Sequence, residues 1–255
     1  LGTTCAQAIS VVISLCMIIR QRKEFSLSRK DFRLSHNIMG QILKIGIPIA
    51  LQDGFIQVAF MIITIIANQR GLNDAAAVGI VEKIISFLFL IPSSMLSTVS
   101  ALGAQNIGAG KRQRANETLR YAVMITVGFG IIVGIFMQFF ASPVVALFTD
   151  ASDASGAEVV RLGGQYLRGY VWDCMFAGIH FSFSGYFCAC GKSGISFLHN
   201  IIAITLVRIP GVYLTSTLFP DTLFPMGLAT AAGSLLSAII CVVAFTILNR
   251  KERQK

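Results

Sequence analysis

Residues 119–142 read LRYAVMITVGFGIIVGIFMQFFAS, a run long and apolar enough to cross a bilayer as one helix. Beyond Arg120 the run contains no charged side chain. The hydrocarbon core of a membrane is spanned by about 20 consecutive apolar residues in a helix, and soluble domains seldom contain such a run. These residues therefore predict a transmembrane helix.

Six further runs have the same character, and helices are predicted for all of them, at about 1–19, 45–68, 75–102, 170–190, 194–219 and 223–248. The chain is 55% hydrophobic with a mean hydropathy of +0.73, and only 13% of its residues are charged. A soluble domain carries about 25% charged residues. The ~10-residue alternation typical of a membrane barrel is absent from the sequence. The sequence thus predicts an all-α membrane protein, a polytopic helical bundle.

The net charge of +9 raises the question of a nucleic-acid partner, and the positions of the cations answer it. Lys and Arg gather in connections between the apolar runs, at 20–33, 111–120, 192 and 250–255. The alternate connections hold acidic residues instead, namely Asp74, Asp150, Asp153, Glu158 and Asp221. Because Lys and Arg are retained on the cytoplasmic side, the basic connections and the C-terminus are predicted to face the cytoplasm from the inner (plasma) membrane. The expected partner is the lipid bilayer and not nucleic acid.

Two connections are long enough to form helices of their own. Residues 22–40 mix apolar side chains with cations and predict a short amphipathic helix on the inner membrane surface. Residues 155–168 predict an outer-face helix that runs into the next span. The chain begins at Leu1 without a Met or the charged start of a signal peptide, so it is expected to continue upstream.

Motifs for enzymatic chemistry are weak in this sequence. Its six cysteines lie in apolar runs without zinc-site spacing and are predicted to be buried thiols. The stretch from Gly185 to Ser193 ends like a phosphate-binding loop, but its glycines are separated by one residue too many. No nucleophile with a paired base and no cofactor site is predicted.

Polar side chains inside the spans carry the site prediction, because an ionised group at mid-bilayer costs about 2.5–3.5 kcal/mol on insertion scales. They are Asp53, Gln57, Glu82, Asp173 and Arg208. One hypothesis is a structural ion pair that fixes helix packing, either Asp173–Arg208 or Asp53–Arg208. The other is a cation, proton or substrate site that faces a water-filled cavity.

Three prolines fall inside predicted spans, at positions 48, 92 and 210. A missing backbone donor is tolerated in a membrane helix where neighbouring side chains or water satisfy the freed carbonyl. Broken helices near the membrane midplane are common in transporters, so these prolines fit a transport function.

Two histidines and three aromatic residues in the spans have simpler interpretations. His180 and His199 each lack a histidine or carboxylate one helical turn away, so both are predicted to be packing residues. Tyr166, Tyr170 and Trp172 lie near the start of the fifth span and predict an interfacial aromatic belt. The same aromatic residues fit a drug contact equally well on the sequence alone.

Four short motifs together resemble the second half of multidrug and toxic compound extrusion (MATE) exporters. They are IGIPIALQ at 45–52, VGIVEK at 78–83, PSS at 92–94 and, most specifically, QNIGAGKRQRA at 105–115. The resemblance implies a transporter of two six-helix lobes. It assigns the chain to the last helix of the N-terminal lobe (1–20), a cytoplasmic basic linker (21–44), the six-helix C-terminal lobe (45–248) and a basic tail (249–255). The N-terminal lobe, otherwise missing from this chain, becomes an expected partner.

The resemblance also implies secondary antiport, in which influx of Na⁺ or H⁺ drives the export of organic cations and other amphiphiles. No cofactor beyond the coupling ion is expected. The family's acidic residue on the tenth helix matches Asp173. One branch of the family has a glutamate beyond the proline of its seventh helix, where this chain has Ile56 and Gln57, with Asp53 a turn earlier. The expected mechanism is alternating access, with the ion bound at Asp173 and shared with Asp53 or Glu82.

Two alternatives stay open at this point. A lipid-linked oligosaccharide flippase of the same superfamily would line its cavity with cations, and Arg208 and Lys83 are compatible with that. A membrane-embedded enzyme is the less favoured alternative, because it would need a catalytic pair or metal ligands on adjacent turns.

Overall fold

The computed structural model describes residues 2–20, 35–149 and 153–253, and these residues form helices without a β-strand. The helices are α1 (Gly2–Arg20), α2 (His36–Arg70), α3 (Leu72–Leu88), α4 (Leu90–Gly108), α5 (Arg112–Ala146), α6 (Ala154–Tyr170), α7 (Asp173–Ala189), α8 (Ser193–Ala203), α9 (Ile209–Leu218) and α10 (Phe224–Arg253). A π-helical turn, Ile204–Arg208, joins α8 to α9. The predicted all-α membrane fold is confirmed.

The chain divides into two compact units, Leu1–Ile42 and Leu43–Lys255. The first unit holds α1 and the start of α2, and its described apolar side chains are exposed. The amphipathic surface helix predicted for residues 22–40 falls largely on 21–34, outside the described residues. From His36 onwards the predicted linker is already part of α2. The assignment of 1–20 and 249–255 to a neighbouring lobe and a tail stays a prediction.

Within the described residues, five helical segments are long and apolar enough to cross a membrane. They are His36–Arg70, Leu72–Gly108, Arg112–Ala146, Ser193–Leu218 and Phe224–Arg250. Each coincides with one of the predicted spans to within a few residues or extends beyond it. A helix satisfies its own backbone hydrogen bonds and is therefore stable in hydrocarbon. The first predicted run is helical too, with a shorter apolar stretch at Thr4–Ile18.

The fifth predicted span, 170–190, corresponds to α7, which begins at Asp173 after a two-residue turn. Residues 155–168, predicted as an outer-face helix, form α6, which begins after Asp153, whose side chain accepts a hydrogen bond from the Gly156 amide at 2.6 Å. Helix α6 packs against α3, α5 and α10. Tyr166 and Tyr170 are 0% exposed, so the aromatic-belt interpretation is wrong for these two side chains. They belong to the core of the bundle.

Glycines explain how α6 enters the bundle so closely. A Cβ on Gly169 would lie 2.5 Å from the carbonyl oxygen of Phe224, and a Cβ on Gly227 would lie 2.8 Å from the amide nitrogen of Tyr170. The obstructing atoms are backbone atoms, so they cannot move aside as a side chain can. Small residues permit this backbone-to-backbone contact in membrane helices, and here they join α6 to α10.

Two apolar clusters fill the bundle formed by residues 43–253. One includes Ile63, Val81 and Tyr166, and the other includes Val99 and Phe187. The buried polar side chains of α7, α8 and α10 belong to neither cluster. The sequence therefore places a polar region inside an otherwise apolar bundle.

Arg70, at the end of α2, forms hydrogen bonds with α9 and with the connection between α9 and α10. Its guanidinium donates to the carbonyl oxygens of Ser216 and Pro220, both at 2.6 Å, and to Asp74 Oδ1 at 2.8 Å. These contacts use the planar fork of an arginine, which a lysine ammonium cannot reproduce.

Replacing Arg70 with lysine should therefore lower the thermal unfolding midpoint of the purified protein. Charge-assisted hydrogen bonds contribute about 1.5–3 kcal/mol each, and the variant loses at least one of them. Arg161→Lys is the matched control, because Arg161 forms an exposed pair with Glu158 on the surface of α6. Unfolding at the same temperature for wild type and Arg70→Lys would show that the Arg70 contacts do not stabilise the bundle.

Candidate functional site

Asp173 is the buried carboxylate of the bundle. Helix α6 ends at Tyr170, Val171 and Trp172 form a turn, and α7 begins at Asp173. The side chain of Asp173 is 0% exposed. A buried charge of this kind is retained only with a partner, since its desolvation costs several kcal/mol.

Arg208 reaches the same place from a π-helical turn. Pro210 has no backbone N–H, and its ring clashes with the carbonyl of the preceding turn. The helix accommodates it by a wider turn, in which the Ile209 amide bonds to the Ile204 carbonyl, five residues back. Single π turns inside helices occur frequently at functional sites. Here the turn carries Arg208, which is only 7% exposed.

Asp173 and Arg208 form a long ion pair beside two aromatic rings. Arg208 Nη2 lies 3.4 Å from Asp173 Oδ2 and donates to the Tyr170 hydroxyl at 2.8 Å. The guanidinium carbon lies 5.3 Å from the centroid of the Phe60 ring, a cation–π distance. Asp173 Oδ1 and Arg208 Nε have no hydrogen-bond partner among the described residues. Both ions therefore keep polar atoms that could bind something else.

The structure brings some of the predicted site residues together and leaves others apart. Asp173 and Arg208 form the first of the two predicted ion pairs. Glu82 is half-buried, accepts a hydrogen bond from Thr64 Oγ1 at 3.4 Å and lies within electrostatic reach of Arg208. Asp53 and Gln57 are exposed on α2. The alternative pair of Asp53 with Arg208 is wrong, because Arg208 is paired with Asp173.

His180 and His199 were predicted to stand alone, and the bundle brings them together. Their ring centroids lie 5.7 Å apart, with His180 on α7 and His199 on α8. His199 Nε2 lies 2.9 Å from Ser184 Oγ, and its Nδ1 lies 2.6 Å from Ser237 Oγ. The sequence contained one indication of this cluster, because Asp173, His180 and Ser184 recur at spacings that share one face of a helix.

A small cavity lies between Arg208 and His180. His180, Asn200, Arg208, Ser234 and Ser237 are among the residues that line it, and it has room for about one water molecule. The described residues contain no group of three or more His, Cys, Asp and Glu side chains that could hold a metal ion. The site is thus a narrow polar cavity walled by α7, α8, the π turn and α10.

Comparison with known proteins identifies the family. The profile of the MatE family matches residues 48–214, which is more than half of the chain. The chain belongs to the MatE family. In this MatE chain, the matched region runs from Pro48 to Leu214 in α9 and so contains Asp173, His180, His199 and Arg208.

Curated relatives support the assignment at low identity. The chain is 26% identical over 216 residues to "Probable multidrug resistance protein YpnP" from Bacillus subtilis, covering 84% of the chain and 47% of that protein. It is 21% identical over 212 residues to "Probable multidrug resistance protein NorM" from Halalkalibacterium halodurans, covering 83% of the chain and 45% of that protein. The MatE chain therefore spans about half the length of these relatives.

Solved structures share the fold. A MATE protein in complex with MaL6 superposes with a TM-score of 0.86 at 18% identity, over 96% of the chain and 55% of that structure. The bent form of the Vibrio cholerae MATE transporter VcmN gives a TM-score of 0.79 at 18% identity, over 97% of the chain and 54% of that structure. The helices of this MatE chain are arranged as in about half of a MATE transporter.

Proposed function

We propose that the chain is one lobe of a secondary antiporter that exports organic amphiphiles in exchange for Na⁺ or H⁺. Membership of the MatE family supports transport, and the names of its relatives as multidrug resistance proteins support drugs as the exported class. A first six-helix lobe would supply the opposite wall of the substrate cavity. The observation that carries the proposal is the buried, incompletely bonded pair of Asp173 and Arg208.

The energetics of that pair favour a working site over a structural one. A buried ion pair can often be replaced by apolar residues without loss of stability. It contributes most when every polar atom is hydrogen-bonded, and here Asp173 Oδ1 and Arg208 Nε are not bonded to described residues. The 3.4 Å separation is long for a charge-assisted hydrogen bond. A small cation can therefore compete with Arg208 for the carboxylate.

Coupling follows from that competition. A cation or proton at Asp173 neutralises the carboxylate and leaves Arg208 without its counter-charge. Arg208 then favours a different position, and the π turn that carries it can change its hydrogen bonding. A ligand shifts a conformational equilibrium only by its differential affinity for the two states. The ion would thus change the balance between inward-open and outward-open forms of the transporter.

The orientation in the membrane is also part of the proposal. Lys111, Lys192 and Arg250 lie in the basic connections at one end of the bundle, and Asp74 and Asp221 lie in the acidic connections. The positive-inside rule places the basic end in the cytoplasm. Exchange would then occur across the plasma membrane, with the C-terminus inside.

The flippase alternative loses its main argument. It relied on Arg208 and Lys83 as free cations along the cavity, but Arg208 is paired with Asp173 and Lys83 is exposed on α3. The enzyme alternative is not favoured either, since the solved relative VcmN is described as a transporter. Export remains the function with the best support.

Ethidium efflux from cells that express the protein as its gene encodes it provides the test. Asp173→Asn removes the ionisable group with little change of shape, and we expect the efflux rate to fall at least about 10-fold, within the usual range of coupling energies. Asp221→Asn is the matched control, because Asp221 is exposed in the connection before α10. Wild-type efflux in Asp173→Asn at equal expression would remove Asp173 from the mechanism.

A further inference from the structure

Polar side chains occupy one buried face of α7 over several turns. Asp173, His180 and Ser184 follow each other at intervals of seven and four residues, which places them on the same side of the helix. At 1.5 Å per residue, the distance from Asp173 to Ser184 is roughly 16 Å. The hydrocarbon core is about 30 Å thick, so this polar face covers about half of it.

His199 is bonded in a manner suited to exchanging a proton. One ring nitrogen faces the Ser184 hydroxyl at 2.9 Å and the other faces the Ser237 hydroxyl at 2.6 Å. A serine hydroxyl can rotate and can either donate or accept. His199 can therefore hold its proton on either nitrogen while both hydrogen bonds are kept.

His180 does not fit the interpretation of a satisfied packing residue. Its side chain is 4% exposed, and its Nδ1 has no hydrogen-bond partner among the described residues. The same is true of Asn200 Nδ2 and Arg208 Nε. All three side chains line the same small cavity, which has room for about one water molecule. Buried polar groups are almost always bonded, so three convergent ones indicate a site.

Few charged groups face His180 from the packed helices. His199 on α8 and Arg208 on the π turn are within electrostatic reach, and Asp173 lies two turns earlier on α7 itself. Helix α4 has no titratable side chain, α5 has none from 122 to 146, and α10 has only Cys241 before Arg250. Because Arg208 is already cationic, a second positive charge at the cavity is stabilised only while Asp173 is ionised.

We propose that His180, His199 and the cavity between His180 and Arg208 form a proton-binding relay beside Asp173, so that the ion this lobe couples is H⁺. The proposal rests on the proposed function and selects between its two ions. Burial and Arg208 oppose a proton at His180, and an ionised Asp173 offsets part of that opposition until the carboxylate is neutralised. The relay thus carries one proton at a time between the cavity and the carboxylate.

The chemistry of the cavity opposes Na⁺. Hard metal ions are held by several oxygen ligands, and although Ser234 and Ser237 bring hydroxyls to this cavity, the cationic Arg208 lines it too. The guanidinium would also repel a metal ion at this distance. A proton needs only a lone pair, which the imidazoles and hydroxyls supply.

The test uses the protein as its gene encodes it, reconstituted in proteoliposomes with ethidium as the transported probe. Transport is measured with a pH gradient alone, with a Na⁺ gradient alone, and as ethidium exchange without an ion gradient. Wild type should respond to the pH gradient only. His180→Asn should lose at least about 10-fold of the pH-driven rate, since a positioned proton-transfer group contributes typically 10²–10⁴-fold, and should keep ethidium exchange. His36→Asn, which changes an exposed histidine at the start of α2, is the matched control.

The outcomes distinguish a failure of the proton relay from a failure of the proposed export function. Na⁺-driven transport that ignores a pH gradient, or wild-type pH-driven transport in His180→Asn, overturns the proton relay and leaves export intact. Failure of wild type to move ethidium under any condition overturns the proposed function and the relay with it.

Proton release on ethidium binding, measured in weakly buffered detergent solution, gives a second readout. It should fall in both His180→Gln and Asn200→Leu, and unchanged release in both variants overturns the relay even if His180→Asn does not fold.

Discussion

Replacing Arg208 alone with methionine should lower the thermal unfolding midpoint of the purified protein by roughly 10 °C. The change removes the cation that is paired with Asp173, whose side chain is 0% exposed. Breaking a buried ion pair from one side costs about 3–5 kcal/mol, because the remaining charge stays buried without compensation. Methionine keeps the apolar part of the arginine side chain but lacks the guanidinium, so the single variant measures the loss of charge and of packing together.

The double variant Asp173→Asn with Arg208→Met separates charge from packing. With both charges removed, most of the lost stability should return, although export should stay abolished. A midpoint for Arg208→Met equal to that of wild type would mean that Asp173 is not a buried charge in the folded protein. A double variant as unstable as the single one would assign the loss to packing around the π turn.

Replacing Gly130 with leucine should disrupt the contact between α5 and α7 and destabilise the bundle to a similar extent. A Cβ at Gly130 would lie 2.6 Å from the Cα of Met175. Met175 is two residues after Asp173, so separating the helices there also displaces the site. Overpacking a tight interface costs about 1–3 kcal/mol and occasionally more, and here the obstacle includes backbone. We expect a midpoint at least several degrees lower and efflux reduced to near background.

Gly128 provides the matched control two residues away on the same helix. A Cβ at Gly128 would meet nothing within 4 Å, so Gly128→Leu should unfold and transport like wild type. Equal effects of the two substitutions would show that glycine matters for the helix itself and not for its contact with α7. A harmless Gly130→Leu would contradict the close packing of α5 on α7.

The spans could be predicted from the sequence because the bilayer imposes one strict requirement. Residues 119–142 must satisfy every backbone group internally, and only a helix of that length does so within one segment. The ends of the helices were less predictable. Helix α5 extends from Arg112 to Ala146, because a helix can continue into polar flanks that carry no apolar pattern.

Helix α6 was predictable only in part. Residues 155–168 were predicted to form a helix that runs into the next span, and they do form a helix, but its close packing against α10 was not predicted. Inside a membrane protein, glycines permit close helix contact. Gly169 lies at a helix contact because it packs beside Gly227 of α10. Gly227 is 58 positions further along the chain, so the residues next to Gly169 in sequence do not reveal the contact.

The candidate site was partly predictable. Asp173 and Arg208 were recognised because charges in spans are costly, and their pairing was one of two hypotheses. The link between His180 and His199 was missed, because it depends on the register of α8 against α7. Tyr170 was assigned to a membrane interface, yet its hydroxyl accepts a hydrogen bond from Arg208. Residues that act together across helices cannot be paired from spacing along one of them.

Whether Asp173 becomes accessible during transport is the most direct question about this account. The reconstituted protein can be treated with a hydrophobic carbodiimide, with and without ethidium and a pH gradient, and the modified carboxyls located by mass spectrometry. Exposed Asp53 serves as the internal reference for reagent access. If the ion exchanges at Asp173, that residue should be modified in protein that is turning over and protected at rest. An Asp173 that stays unmodified under every condition, while Asp53 reacts, would show a permanently closed structural ion pair and would contradict the proposed mechanism.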